Sequence, residues 1–173
     1  MYMKITVLFI VIAFAVTNLM SLGKSTQEIK NINAIDDSTT VRTEDSTAIS
    51  KQILVKYILQ QDISHPEVAY AIARHESDLS SKLFKSNNNL FGMRHPGVRP
   101  TLSVKKKFGY ADFICWQHSV QDYKLYLEFV KGHKMDKTSY LRHLDVNYAY
   151  RGYAKVLNAY FNEFHSIKDS LDL

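Results

Sequence analysis

The segment Pro66–Leu79 carries apolar side chains at the spacing of an α-helix with one buried face. The members of this stripe are Val68, Ala69, Ile72 and Leu79. Glu76 falls on the same stripe, between its last two members. A carboxylate that points toward a core is costly unless it is paired or protonated. We therefore expect a packed helical domain in which Glu76 is either a general acid or a structural partner of Arg74, His75 or a more distant arginine.

The composition is that of a folded domain with a basic surface. Of the 173 residues, 46% are apolar and 23% are charged, which is enough for a core. The single cysteine, Cys115, excludes an internal disulfide framework and a cysteine-based zinc site. The seven histidines show no HExxH spacing, so we predict no metal site. Residues 50–173 carry 18 basic and 12 acidic side chains. This charge favours a polyanionic partner such as nucleic acid, anionic lipid or an acidic bacterial wall polymer.

Residues 1–23 are typical of a signal peptide or signal anchor. Lys4 precedes the apolar run Ile5–Val16, and Ile5–Leu22 would be long enough for one membrane helix if it stayed uncleaved. Residues 24–49 are rich in Ser, Thr, Asp and Asn, which predicts a flexible polar linker. We expect the domain to be secreted, periplasmic or in the cell envelope. The segment would be a membrane tether only in the case that it stays uncleaved. A nucleic-acid-binding domain would not explain this signal, so nucleic acid is not an expected partner.

The pattern of residues 50–166 predicts an α+β fold that is mainly α, a small helical domain with one β-hairpin. Helices are expected over Lys51–Gln61, from an N-cap at Ser64 to about Leu79, from an N-cap at Ser119 to Gly132, and over Tyr153–Phe164. Ser86–Asn89 is expected to be a loop, and the alternation within residues 101–116 predicts the hairpin. Residues 167–173 are expected to be a tail.

Short motifs in this domain are similar to those of a known family. Ala73–Ser77 reads Ala-Arg-His-Glu-Ser, and Asn88–Met93 reads Asn-Asn-Leu-Phe-Gly-Met. Gly109–Phe113 and Ser119–Tyr123 match a hairpin exit and the helix after it. In these residues the chain resembles the bacterial and phage glucosaminidases, which are lysozyme-like peptidoglycan endo-β-N-acetylglucosaminidases of glycoside hydrolase family 73. The resemblance covers residues 50–166.

The resemblance implies a lysozyme-like fold, peptidoglycan glycan strands as substrate and Glu76 as the catalytic acid. It implies hydrolysis of the β-1,4 bond after N-acetylglucosamine without a cofactor, and amidase activity is also attributed to the family. Asn tolerates tight turns and offers amide groups to sugars, and aromatic rings can stack on sugar faces. The candidate substrate-binding residues are Asn88, Asn89, Phe91, Gly92, Tyr110, Tyr148 and Tyr153.

The hairpin departs from the family pattern in its second carboxylate. Glycosidases usually use two carboxylates, and the family places the second one in the hairpin. Here the only acid between Asp78 and Asp122 is Asp112, and Lys105–Lys107 stands in the strand instead of a Glu. Asp112 is therefore the candidate base. The alternatives are attack by the substrate's own acetamido group, a single-Glu lytic transglycosylase, and a wall-binding module with impaired catalysis.

Overall fold

The computed structural model describes residues 49–171. The predicted signal segment and the predicted linker up to residue 48 lie outside these residues. Among the described helices, none combines the length and the apolar character that a membrane span requires.

The described chain is mainly helical with one two-stranded antiparallel sheet, which confirms the predicted fold class. The helices are α1 (Lys51–Gln60), α2 (Pro66–Ser77), α3 (Lys82–Asn87), α4 (Trp116–Phe129), α5 (Lys137–His143), α6 (Tyr153–Leu157) and α7 (Phe161–Ser170), and the strands are β1 (Lys105–Lys107) and β2 (Tyr110–Asp112). Gly132–Lys134 and Asn158–Tyr160 are 3₁₀ turns, and Leu144–Tyr148 is a π-helical turn.

Helix α2 lies at the centre of the fold. Helices α1, α6 and α7 pack against it. As a result, all six residues from Val68 to Ala73 are fully buried, and not only those on the predicted stripe. Burial on several sides fixes the axis of α2, and with it the position of Glu76 in its last turn.

The start of α2 differs from the prediction. The N-cap is His65 and not Ser64, and Pro66 is the first helical residue. Proline suits this position because its fixed φ is helical and the first turn has no use for its missing N–H. The carbonyl of His65 accepts from the amide of Ala69 at 3.0 Å, while its imidazole Nε2 lies 3.0 Å from the Met135 carbonyl. The predicted N-cap at Ser64 is therefore wrong.

The start of α4 also differs. The helix begins at Trp116 with Cys115 as N-cap, so Ser119 is an interior residue and not the cap. The Ser119 hydroxyl donates to the Trp116 carbonyl at 3.0 Å and accepts from the Leu90 amide at 3.3 Å. A serine expected to cap its own helix instead joins that helix to the Asn-Leu-Phe-Gly loop.

The predicted loop at Ser86–Asn89 and the predicted last helix have different bounds in the structure. Residues 86 and 87 belong to α3, which Ser81 caps, so the predicted Ser86–Asn89 loop begins only at Asn88. The predicted helix over Tyr153–Phe164 is interrupted by a 3₁₀ turn and then continues to Ser170. Ile167 is buried, so packed residues extend beyond residue 166.

The hairpin is shorter than predicted and has a definite register. Lys105 pairs with Asp112, Lys106 with Ala111 and Lys107 with Tyr110. The two connecting residues, Phe108 and Gly109, both have positive φ, which matches the twist of a two-residue hairpin turn. The hairpin therefore projects the basic strand β1 next to β2.

Candidate active site

Glu76 lies in the last turn of α2 and is half-buried. The helix ends because Asp78 adopts a left-handed φ of 43°, and its amide still donates to the Arg74 carbonyl. The Ser77 hydroxyl donates to the Ala73 carbonyl at 2.6 Å and tightens the same turn. Arg74 does not serve as the partner of Glu76, because its guanidinium bonds to Glu163 at 3.0 Å and to Asp78 at 2.6 Å.

The hydrogen-bond partner of Glu76 is Tyr153. The Tyr153 hydroxyl donates to Oε1 of Glu76 at 2.6 Å, and the tyrosine is fully buried at the start of α6. Burial, the neighbouring Tyr148 and the bond to Glu76 together raise the pKa of Tyr153 far above its ordinary value. Tyr153 is therefore a neutral donor that holds one oxygen of the carboxylate in place.

Gly92 lies against the other carboxylate oxygen. Its φ is +63°, and a Cβ at this position would stand 2.8 Å from Oε2 of Glu76. Only glycine provides both this backbone conformation and this space. The Asn-Leu-Phe-Gly loop therefore approaches Glu76 through its backbone at Gly92.

The asparagines of the loop use their amides on backbone carbonyls. Asn88 donates to the carbonyls of Phe113 and Ile114 at 3.0 Å each. Asn89, which is 1% exposed, donates to those of Met93 at 2.8 Å and Ala111 at 3.1 Å. These bonds attach the loop to β2 and the residues after it. The structure thus gives both residues a scaffold role. Their contact with sugar stays a prediction.

Phe91 and Tyr148 hold the middle of the loop. The Phe91 ring is buried and stacks on Tyr123 with the centroids 4.4 Å apart. Its carbonyl accepts from the Tyr148 hydroxyl at 2.6 Å. Burial, and next the negative charge of Glu76, raise the pKa of Tyr148 well above its ordinary value. Tyr148 therefore stays protonated and connects the π-helical turn to the loop, while Phe91 is a core anchor.

Strand β2 brings Asp112 to the same loop. The Ala111 amide, next to Asp112, donates to the Met93 carbonyl at 2.9 Å. Asp112 is 6% exposed, and one of its carboxyl oxygens is buried without a hydrogen-bond partner within the described residues. Tyr110, two residues earlier, is exposed. Residues 49–171 contain no cluster of three His, Cys, Asp or Glu side chains that could hold a metal ion.

Asp122 is a structural residue that the sequence analysis did not identify. It is fully buried and accepts from the Arg99 guanidinium at 2.7 Å, the Thr101 hydroxyl at 2.7 Å and the Leu102 amide at 2.8 Å. These bonds fix residues 99–102 to α4. The only sequence signal is that Asp122 lies between the apolar residues Val120 and Tyr123 on the inner side of that helix.

Tyr150 lies beside Tyr153. Its ring packs edge-on against Tyr153 with a centroid distance of 5.4 Å, yet half of the residue is exposed. It therefore presents an aromatic surface to solvent beside the Tyr153–Glu76 pair. The exposed face of the Tyr150 ring is available for stacking on a sugar ring.

A half-buried carboxylate that a neutral tyrosine orients beside an open backbone turn suits a glycoside hydrolase. A family model described as mannosyl-glycoprotein endo-β-N-acetylglucosaminidase, of the glucosaminidase family, matches residues 51–171. The chain belongs to this family, and its domain is a glycoside hydrolase domain of the peptidoglycan-degrading type. No curated protein and no solved structure matches the chain.

Proposed function

We propose that the domain cleaves the β-1,4 bond after N-acetylglucosamine in peptidoglycan, with Glu76 as general acid. The observation that carries this proposal is that the two oxygens of the Glu76 carboxylate have different surroundings. Oε1 accepts from Tyr153 at 2.6 Å, whereas Oε2 faces the backbone of Gly92. A carboxyl group held at one oxygen can present the other to a glycosidic oxygen with little loss of orientation.

In the proposed reaction the proton of Glu76 moves to the glycosidic oxygen. The bond between that oxygen and the anomeric carbon breaks, and the sugar passes through an oxocarbenium-like state. Water then adds to the anomeric carbon and loses a proton to a base. Tyr153 keeps its proton throughout, because its pKa is raised, and stabilises the carboxylate that remains on Glu76.

The base for the attacking water is the second part of the proposal. We propose Asp112 as this base because its strand, β2, is hydrogen-bonded to the loop that contacts Glu76. Its unpartnered carboxyl oxygen has capacity for a water molecule, because a buried acceptor without a donor is costly. The acetamido-assisted route and the transglycosylase route need no second carboxylate and are the alternatives that the experiment below separates.

One observation favours a second candidate function. Strand β1 consists of Lys105–Lys107, where the family pattern has a Glu. A domain that lacks this group could bind the wall without efficient turnover. For either function we propose a location outside the cytoplasm, supported by the signal-like residues 1–23 and by the basic charge of residues 50–173.

The test is mass spectrometry of purified peptidoglycan after incubation with the full chain. The variants are Glu76→Gln and Asp112→Asn. The control is Glu128→Gln, which makes the same Glu-to-Gln substitution at an exposed position. Wild type and the control should release fragments with reducing N-acetylglucosamine ends, and Glu76→Gln should release none. Reducing N-acetylmuramic acid ends would refute the proposed bond, and anhydro ends would indicate the transglycosylase.

The Asp112→Asn variant tests whether Asp112 is the base that activates the water. Loss of at least about a hundredfold in rate supports Asp112, because general acid–base groups contribute on this scale. An active Asp112→Asn variant supports the acetamido-assisted route. A wild-type chain that sediments with the wall but releases nothing supports the binding module.

A further inference from the structure

A shallow pocket of about 270 Å³ opens beside the hairpin, and the charged side chains that line it are cationic. It is lined by Arg94, His95, Lys106, Gly109 and Tyr110. All five residues are exposed. Within residues 49–171, the side chains of Arg94 and Lys106 make no hydrogen bond or ion pair, so both are available to an anion.

The surroundings of the pocket do not neutralise this charge. The only acidic residue between Asp78 and Asp122 is Asp112, which is buried. Lys107, beside the pocket residue Lys106, is already engaged, because its ammonium donates to the Ser86 carbonyl at 2.7 Å. The positive charges of Arg94 and Lys106 are therefore available to attract an anion that enters the pocket.

The pocket also contains oriented polar groups. Nδ1 of His95 lies 3.0 Å from the Ser103 hydroxyl, which fixes the ring and leaves Nε2 for another partner. The Tyr110 hydroxyl has no hydrogen-bond partner among the described residues. An anion in the pocket would thus meet a guanidinium, an ammonium, an imidazole and a phenol, a set that suits a carboxylate.

The pocket is close to the proposed catalytic acid along the chain. Gly92 lies against Glu76, and Arg94 follows two residues later. Two residues of extended chain span at most about 7 Å. A side branch of a glycan whose scissile bond is at Glu76 can therefore reach the pocket.

We propose that this pocket binds the carboxylate of the peptide branch that muramic acid carries in peptidoglycan. The inference rests on the proposed function, because it assumes that the glycan lies at Glu76. N-acetylglucosamine is neutral, so the anions nearest to the scissile bond are those of the lactyl-linked peptide. The pocket makes the domain prefer peptide-bearing strands to bare glycan.

The probe is muramyl dipeptide, which has one free carboxylate, and the protein is the full chain with Glu76→Gln. Chitobiose serves as the neutral ligand and glycerol phosphate as the phosphate of a wall polymer. In nuclear magnetic resonance titrations, muramyl dipeptide should shift the imidazole signals of His95. Adding Arg94→Gln and Lys106→Gln should weaken that binding about three- to tenfold, the scale of exposed charged contacts.

The matched control pair is Lys134→Gln with Arg142→Gln, which removes the same charges from exposed positions elsewhere. It should leave the affinity for muramyl dipeptide unchanged, and an equal loss would overturn the pocket. Preference for glycerol phosphate, or no shift of His95 with muramyl dipeptide, would overturn the carboxylate assignment.

Failure of this inference and failure of the proposed function are distinguishable. Carboxylate-dependent binding in Glu76→Gln, together with a wild-type chain that cleaves nothing, would refute only the proposed function. Cleavage by wild type that is equally efficient on peptide-bearing and peptide-free strands would refute only the pocket.

Discussion

The Tyr153 hydroxyl donates to Oε1 of Glu76 at 2.6 Å across 77 residues of sequence. The bond joins the last turn of α2 to the first residue of α6. Tyr148 and His75 surround the Tyr153 ring at centroid distances of 5.9 Å and 5.4 Å. Packing of distant segments therefore determines where the carboxylate stands, and removal of a single oxygen atom tests this dependence.

Tyr153→Phe should lower kcat about 10- to 100-fold and change KM little. The ring remains, but Glu76 loses a hydrogen bond to a charged group, worth about 1.5–3 kcal/mol. Tyr150→Phe is the control, because its hydroxyl has no hydrogen-bond partner within the described residues. Initial rates of clearing of a wall suspension give both parameters. Full kcat in Tyr153→Phe would contradict an orienting role for this tyrosine.

Gly92→Ala should abolish most of the activity, whereas Gly109→Ala should not. Both glycines have positive φ, +63° and +85°, so each substitution costs about 1 kcal/mol of backbone strain. Only at Gly92 would the new Cβ also press on Oε2 of Glu76, since Gly109 has nothing within 4 Å. Thermal unfolding and rates measured on both variants separate strain from displacement of the carboxylate. Equal activity of the two would refute close packing at Gly92.

The sequence was informative where a local pattern decided the structure. The stripe in α2 placed Glu76 in a helix at the edge of the core, and the alternation within residues 101–116 predicted the hairpin. The sequence failed where contacts between distant residues decided the outcome. Ser119 resembled a cap, but the Leu90 amide uses its hydroxyl.

The roles of polar side chains were the hardest to predict. The amide of Asn89 is a group that can hydrogen-bond to a sugar. In the structure its nitrogen donates to the carbonyls of Met93 and Ala111. The bond between Arg99 and Asp122 spans 23 residues and depends on how the 99–102 segment crosses α4. No periodicity encodes either contact, because each forms only when the tertiary structure does.

Asn89→Asp should destabilise the domain by about 2–4 kcal/mol. The substitution keeps the shape but removes both amide donors and places a buried carboxylate against carbonyl oxygens. Asn158→Asp is the matched control on an exposed 3₁₀ turn and should change stability little. Urea unfolding followed by circular dichroism measures both. A stable Asn89→Asp variant would mean that the loop does not depend on these two bonds.

The stability of the domain should also depend on pH through Glu163. This side chain accepts from Lys51 at 2.7 Å, from Arg74 at 3.0 Å and from the Tyr70 hydroxyl, and so connects α7 to α1 and α2. Burial alone would raise the pKa of Glu163, but the bonds from Lys51, Tyr70 and Arg74 outweigh it and lower the pKa to about 2. The folded state therefore favours the ionised carboxylate.

The stabilisation by Glu163 should be complete above the unfolded pKa of 4.5 and should be lost as the pH falls toward 2. Because the side chain is 30% exposed, solvent screening reduces the effect to about 1–2 kcal/mol. Between about pH 6 and about pH 2, the unfolding free energy of wild type should fall more than that of Glu163→Gln by this amount. Glu128→Gln, at an exposed position, should follow wild type. Parallel pH dependence in wild type and Glu163→Gln would show that this network does not hold the three helices together through the charge of Glu163.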